Sequence, residues 1–227
     1  MNKTKIEWCD YTINPVKGLC PMACPYCYAR RMYKRFKWNP ELYLETSVFA
    51  DLPEKPSKIF IGSTMELFGE WIKAEWLNYI FDSISNFPQH TFIFLTKRLE
   101  GLIRWSPFPD NCWVGVSTIG NDCNSSLEDI FVPIQARVKF VSIEPLLDYT
   151  SMDFSWVDWV IIGAQTPVSV KNSPKVEWIR EIVEAADKSA IPVFLKDNLE
   201  GLFGYPLPQW AEDKIMNTRL RQEFPNA

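Results

Sequence analysis

Six cysteines and a single histidine limit the chemistry this chain can do. Three of the cysteines stand together in Cys20-Pro21-Met22-Ala23-Cys24-Pro25-Tyr26-Cys27, a C-x3-C-x2-C spacing with an aromatic just before the last thiol. A structural zinc wants four ligands in a closed site, and no fourth ligand lies close by in sequence. The set suits a [4Fe–4S] cluster with one iron left open, because such clusters are held by thiolates. A zinc site and incidental thiols are the competing readings. Pro25 is expected at the first position of a helix spanning 25–38, where its missing N–H and fixed φ are well placed. All three thiols then sit on a tight loop that ends as a helix begins, and a helix N-terminus favours the thiolate.

The elements that must position this loop alternate. Short apolar runs at 58–62, 91–95, 113–116, 138–143, 159–163 and 192–195 read as strands. Between them, helical spacing puts Trp76, Leu77, Ile80, Phe81, Ile84 and Phe87 on one face of 75–87. A short helix is expected at about 98–105. Ser125-Ser126-Leu127-Glu128 has the form of a capping box, with Leu127, Ile130, Phe131 and Ile134 inward. Ser173-Pro174 is expected to cap a helix burying Val176, Ile179, Ile182, Val183 and Ala186. Strand–helix alternation with near-continuous apolar strands implies a parallel sheet covered by helices. The expected fold is therefore α/β, a complete or partial (β/α) barrel of parallel strands. It would occupy 1–200, with 201–227 as a C-terminal covering segment of the same domain. Trp210 and the run 219–225 are expected to cover the barrel's open end.

In such folds the chemistry lies at the C-terminal ends of the strands. Those ends are polar here: Ser63, Thr64 and Glu66; Thr96, Lys97 and Arg98; Ser117 and Thr118; Ser142 and Glu144; Gln165 and Thr166; Lys196, Asp197 and Asn198. The cysteine loop precedes the first helix and is expected on the same rim.

The 227 residues, 47% hydrophobic and 15% aromatic, fit a globular protein with one well-buried core. Residues 1–10 lack the apolar core of a signal peptide, and no run reaches the roughly 18 apolar residues of a membrane span. A cytoplasmic protein is expected, with no membrane partner. Thiols stay reduced in that compartment, so disulfides are not expected. The net charge of −4 argues against non-specific nucleic-acid binding, although the run Arg30, Arg31, Lys34, Arg35 and Lys37 is locally basic.

The cysteine spacing and its place before a strand–helix series resemble the radical S-adenosylmethionine (radical SAM) superfamily. That resemblance implies a (β/α)6 partial barrel in which Cys20, Cys24 and Cys27 hold a [4Fe–4S] cluster. S-adenosylmethionine would chelate the open iron, with Tyr26 against its adenine. It also implies an enzyme that makes a 5′-deoxyadenosyl radical for hydrogen abstraction from a substrate, supplied with electrons by a reduced flavodoxin or ferredoxin-like donor. A wider likeness runs through Ile6-Glu7-Trp8-Cys9-Asp10, Asn14-Pro15-Val16, Gly62-Ser63-Thr64-Met65-Glu66-Leu67-Phe68, Leu95-Thr96-Lys97-Arg98, Gly115-Val116-Ser117 and Ser142-Ile143-Glu144-Pro145-Leu146-Leu147. These are similar to motifs of a phage-associated family of small radical-SAM-like proteins, which hints at a nucleotide or nucleic-acid substrate. The superfamily's Gly-Gly-Glu element is absent, and Gly62-Ser63-Thr64-Met65-Glu66 takes its place beside the methionyl amine. Where relatives carry a Gly-Gly-Glu-Ser-Gly-like run, this chain has Gly163-Ala164-Gln165-Thr166-Pro167, an amide in place of a carboxylate.

Each feature has a plainer alternative. Cys9 as a fourth ligand would exclude S-adenosylmethionine and leave a non-catalytic iron–sulfur protein. A metal-stabilised nucleic-acid-binding module is another class. Cys112 and Cys123 read as small core or surface residues. The basic helix reads as a solvated face, or as a dock for an acidic electron donor or a nucleic acid. Lys97, Arg98 and Lys196 at strand ends either meet an anionic group or pair with Glu66, Glu144 or Asp197. Glu144 reads as a ribose or substrate contact, or as half of a rim ion pair.

Overall fold

The computed structural model describes residues 2–120, 125–150, 153–213 and 219–226. Cys123 lies outside them, as do the side chains of Ser125 and Ser126 on which the capping-box expectation rests. In chain order the elements are β1 (Asn2–Lys3), β2 (Tyr11–Ile13), β3 (Val16–Lys17), α1 (Tyr28–Phe36), β4 (Tyr43–Leu44), β5 (Lys58–Ile61), α2 (Ala74–Ser85), β6 (Thr91–Thr96) and β7 (Cys112–Thr118). They continue with α3 (Ser125–Phe131), β8 (Val138–Ile143), β9 (Trp159–Ile162), α4 (Val176–Lys188) and β10 (Val193–Leu195).

The main sheet has the order β1-β2-β5-β6-β7-β8-β9-β10, and seven of its eight strands run parallel. Only β1 is antiparallel, pairing with β2 through Asn2↔Thr12 and Lys3↔Tyr11. The fold is α/β with the strand order of a partial (β/α) barrel, as the alternation of apolar strands and amphipathic helices requires. β3 and β4 form a separate antiparallel pair.

The chain divides into two compact units, Met1–Val114 with Ile134–Arg137, and Gly115–Pro133 with Val138–Ala227. In the first, β5 pairs with β2 and β6 in register, Ile59 opposite both Tyr11 and Phe92. Helix α2 buries Leu77, Ile80 and Ile84 at helical spacing. Phe81 of α2 packs against Phe94, Trp105 and Phe108 at centroid distances of 5.5–5.7 Å. In the second unit, α4 buries Ile179, Ile182, Val183 and Ala186. Trp159 of β9 sits among Phe140, Phe194 and Phe224 at 5.3–5.9 Å.

Residues 219–224 are laid along the edge of β10. Leu195 N–H donates to Arg221 O at 2.8 Å, Glu223 N–H donates to Val193 O at 3.0 Å, and Phe194 bridges Gln222 antiparallel. The buried Arg221 guanidinium grips Asp187 at the end of α4 with two nitrogens, at 2.7 and 3.1 Å, and also Glu223 at 2.8 Å. Residues 219–224 of the expected covering segment thus cover a strand edge.

Three local expectations are corrected. Helix α1 starts at Tyr28, not Pro25, because Cys27 is the N-cap and Cys24 to Cys27 form a turn closed by Cys27 N–H to Cys24 O at 3.1 Å. Ser173-Pro174 does not cap α4: its N-cap is Lys175, which makes no side-chain capping bond. The 98–105 segment forms two 3-10 turns, Leu99–Gly101 and Ile103–Trp105, instead of a helix.

Candidate functional site

The cysteine loop follows β2 and the short β3, and it meets the polar segment that follows β5. Asn14, the first residue after β2, joins that strand end to the same segment. Its Oδ1 accepts from Thr64 N–H at 3.0 Å and from the Thr64 and Ser63 hydroxyls at 3.0 and 3.2 Å, and its amide donates to Ser63 Oγ at 3.1 Å. Gly62 turns the chain at φ +83°, where a Cβ would strike the Leu67 side chain. These bonds set the floor on which the thiol loop rests.

The loop itself is tied at both ends. Gly18 N–H donates to the Tyr33 hydroxyl at 2.9 Å, the Arg30 guanidinium donates to Cys20 O at 2.7 Å, and the Tyr28 hydroxyl donates to Ser63 O at 2.8 Å. Between Cys20 and Cys24, Ala23 holds φ at +53°, a left-handed conformation that disfavours a Cβ. Two sulfurs accept backbone N–H groups at 3.4 Å: Cys20 Sγ from Glu66 and Cys27 Sγ from Arg30.

The three thiols are partly exposed and free. Burial pushes the Cys20 and Cys24 thiols up. At Cys20 the N–H groups of Glu66 and Met22 oppose that shift, and at Cys24 the Lys97 ammonium does. The expected preference for the thiolate is therefore reversed at these two positions, because desolvation outweighs the donors. Negative charge on a neighbouring thiol would push Cys20 and Cys24 up further. Among the described residues no three His, Cys, Asp or Glu side chains are gathered closely enough to hold a metal ion.

Glu66 sits beside this loop, buried and held by its own chain. Oε1 accepts from the Thr96 hydroxyl at 2.6 Å and Phe68 N–H at 3.0 Å, and Oε2 accepts from Lys97 N–H at 2.7 Å. Burial raises its pKa, and these three donors pull the other way. The Lys97 ammonium stands 5.6 Å from the centroid of the Tyr26 ring, a cation–π distance. Tyr26, Cys24, Glu66 and Lys97 are thus neighbours in charge and in space. Arg98 turns outward to Glu70 at 3.0 Å.

The second unit carries its own polar centre. Lys196, just after β10, pairs with Glu144, just after β8, at 2.5 Å, with side chains 13% and 25% exposed. The pair lies across Gly163, where a Cβ would stand 2.9 Å from Lys196 Cδ and 3.1 Å from Glu144 Cδ. Ser117 donates to Glu144 O at 3.2 Å, and the Asn198 amide holds Ala164 by both N–H and C=O, at 3.0 and 2.8 Å. Ser142 is fully buried in β8, and its hydroxyl has no hydrogen-bond partner among the described residues.

The sequence-derived residues therefore fall into two groups. Cys20, Cys24, Cys27, Tyr26, Gly62, Ser63, Thr64, Glu66, Thr96 and Lys97 belong to the first unit, and Ser117, Ser142 and Glu144 to the second. Residues 3–205 match the family described as Protein of unknown function (DUF5131). The chain belongs to this family. No curated protein and no solved structure matches the chain.

Two residues that hold these groups together in this DUF5131 chain carry only a weak signal of that role in the sequence. Asn14 stands in the Asn14-Pro15-Val16 motif, but its place at a strand end is hidden because β2 is only three residues long. Its signal was Tyr11-Thr12-Ile13, a β-prone run ending in a polar residue before Pro15. Lys196 at a strand end allows either an anionic ligand or an ion pair, and the structure gives the ion pair with Glu144. Cys9 is buried before β2, at the opposite end of that strand from the cysteine loop, with its thiol 3.9 Å from Ile6 O. Cys112 is fully buried at the start of β7, and burial drives its thiol far up. No helix among the described residues is long and apolar enough to cross a membrane.

Proposed function

We propose that this chain is a radical SAM enzyme, with Cys20, Cys24 and Cys27 as the ligands of a [4Fe–4S] cluster. The observation that carries the reading is the strained cysteine loop that follows β2 and β3, with backbone N–H groups directed at two of its sulfurs. Such N–H···S bonds tune clusters. A four-iron cluster fills the space between its thiolates and so accepts ligands set farther apart than a single ion does. The donor set, three soft thiols partly open to solvent, fits that group better than a closed zinc site.

When bound, the cluster supplies an electron that cleaves S-adenosylmethionine to methionine and a 5′-deoxyadenosyl radical, which takes a hydrogen atom from the substrate. The chain's own residues bind and orient. Tyr26 offers a ring to adenine. Gly62, Ser63 and Thr64 present backbone and hydroxyl groups to the methionyl amine. Thr96 holds Glu66 beside the loop, and the Lys97 ammonium, close enough to act on Cys24, attracts a carboxylate. Glu66 is better read as a positioning residue than as an amine ligand, since its carboxylate is already held by three donors. A reduced flavodoxin or ferredoxin-like protein would supply the electron. Cys9, at the far end of β2, counts against a fourth thiolate and so against a purely electron-carrying protein.

Anaerobic reconstitution with iron and sulfide tests the reading. About four irons per chain are expected, together with 5′-deoxyadenosine after reductant and S-adenosylmethionine are added. Both should survive Cys9→Ala and be lost in Cys24→Ala. Iron uptake without any 5′-deoxyadenosine, across a panel of nucleotide and nucleic-acid substrates, would refute the enzyme.

A further inference from the structure

Helix α1 carries a surface that cluster binding leaves unused. It reads Tyr28-Ala29-Arg30-Arg31-Met32-Tyr33-Lys34-Arg35-Phe36, with no acidic side chain, and Lys37 and Trp38 follow. In a chain of net charge −4 this is a local concentration of cations. Arg30 is turned inward to Cys20 O, whereas residues 34–40 are all exposed.

Two large rings are fixed in the middle of that exposed run. Lys37 ends the helix in the left-handed conformation, φ 51°, and Trp38 N–H folds back onto Tyr33 O at 3.3 Å. The indole then meets Tyr33 edge-on at 5.2 Å and stacks on Phe36 at 5.4 Å and 23°. Arg35 lies 5.4 Å from the Phe36 centroid. Phe36 nevertheless stays 51% exposed and Trp38 44%. The chain orders these rings by a defined turn and leaves much of their surface in water, beside three cations.

We infer that α1 and the Lys37–Trp38 turn bind an unpaired nucleic-acid strand. Its bases would stack on Trp38 and Phe36 and its phosphates would meet Lys34, Arg35 and Lys37, the combination that sequence-tolerant single-strand binders use. A duplex hides its base faces, and an acidic protein would use the charges without needing the rings. The inference does not depend on the radical SAM reading, since the surface lies outside the thiols and needs no cofactor.

Fluorescence anisotropy with the full chain and a labelled oligomer of about 20 deoxythymidines, longer than a small binding site, tests it across a salt series. Binding that weakens with salt is expected. Replacing three cations together (Lys34→Gln, Arg35→Gln, Lys37→Gln) should lower the log–log salt slope by about 2, at roughly 0.7 per phosphate. Phe36→Ala with Trp38→Ala should cost at least about thirtyfold in affinity and leave the slope unchanged. Phe36→Tyr with Trp38→Tyr should restore most of the affinity, which separates stacking from a folding defect. The inference is overturned if the oligomer does not bind at low salt, if a duplex of the same length binds as tightly, or if loss of both rings changes nothing. The last result would leave a surface that reads charge alone, as a dock for an acidic electron donor would.

Discussion

Glu66 and Glu144 both stand just past the end of a parallel strand, one in each unit, and the protein treats them in opposite ways. Glu66 is buried, meets neutral donors from its own chain and has its pKa raised by desolvation. Glu144 is a quarter exposed and meets a cation, Lys196. The first is a clasp that fixes the segment after β5 against the end of β6. The second is half of an ion pair lying over Gly163, with a buried serine hydroxyl in the same strand end that meets no partner among the described residues. A polar residue at a strand end does not declare which role it has. The donors around it decide.

The contrast makes an ordered set of predictions. Glu66→Ala should cost the most, about 3 kcal/mol in denaturant unfolding, because it strands the Thr96 hydroxyl and two backbone N–H groups away from water. The pH dependence sharpens this. A carboxyl whose folded pKa is raised holds its proton to higher pH than the unfolded chain does. Its contribution to stability is therefore greatest below the ordinary glutamate value of 4.5 and is lost as pH rises from there to the folded pKa. The neutral Glu66→Gln variant should show a flatter stability profile over that range.

Lys196→Met should cost less, about 1 kcal/mol, since Glu144 can turn to water once its partner is gone. If this variant proves more damaging than Glu66→Ala, the assignment of clasp and ion pair is the wrong way round.

The smallest effects separate two alanines at positive φ. Ala190, at +55°, follows the C-cap of α4, where such a residue ends the helix. Ala23, at +53°, sits in the thiol loop with no helix to terminate. Glycine at either position should stabilise by up to about 1 kcal/mol in thermal melts. Only Ala23→Gly is expected to slow iron uptake during reconstitution, by loosening the loop that carries the thiols.

Much of this architecture is legible in the sequence, for identifiable reasons. Runs such as Trp159-Val160-Ile161-Ile162 are apolar throughout because both faces of a parallel strand are buried, so the α/β class follows from them directly. The three-residue β2 offers no such run and owes its place to pairing with β5 and β1. Pro25 suits a helix start on backbone grounds, yet the Cys24–Cys27 turn delays the helix until a sulfur can cap it. The grouping of Tyr26, Lys97 and Glu66 follows from knowing which ends of parallel strands share a rim. That Glu66 would be spent on Thr96 and two amides does not, since it depends on a tight segment whose hydrogen bonds leave no mark in residue type.

The tail laid along β10 has a consequence for how the protein is made. β10 is synthesised well before Arg221, Gln222 and Glu223, the residues that cover its edge. Until they emerge, a fully apolar strand ends the sheet with its amides and carbonyls bare, the kind of edge that recruits neighbouring chains. Nascent chains crowded on one message are therefore most exposed to mispairing in the interval between those two segments, and slowing translation there would lengthen it.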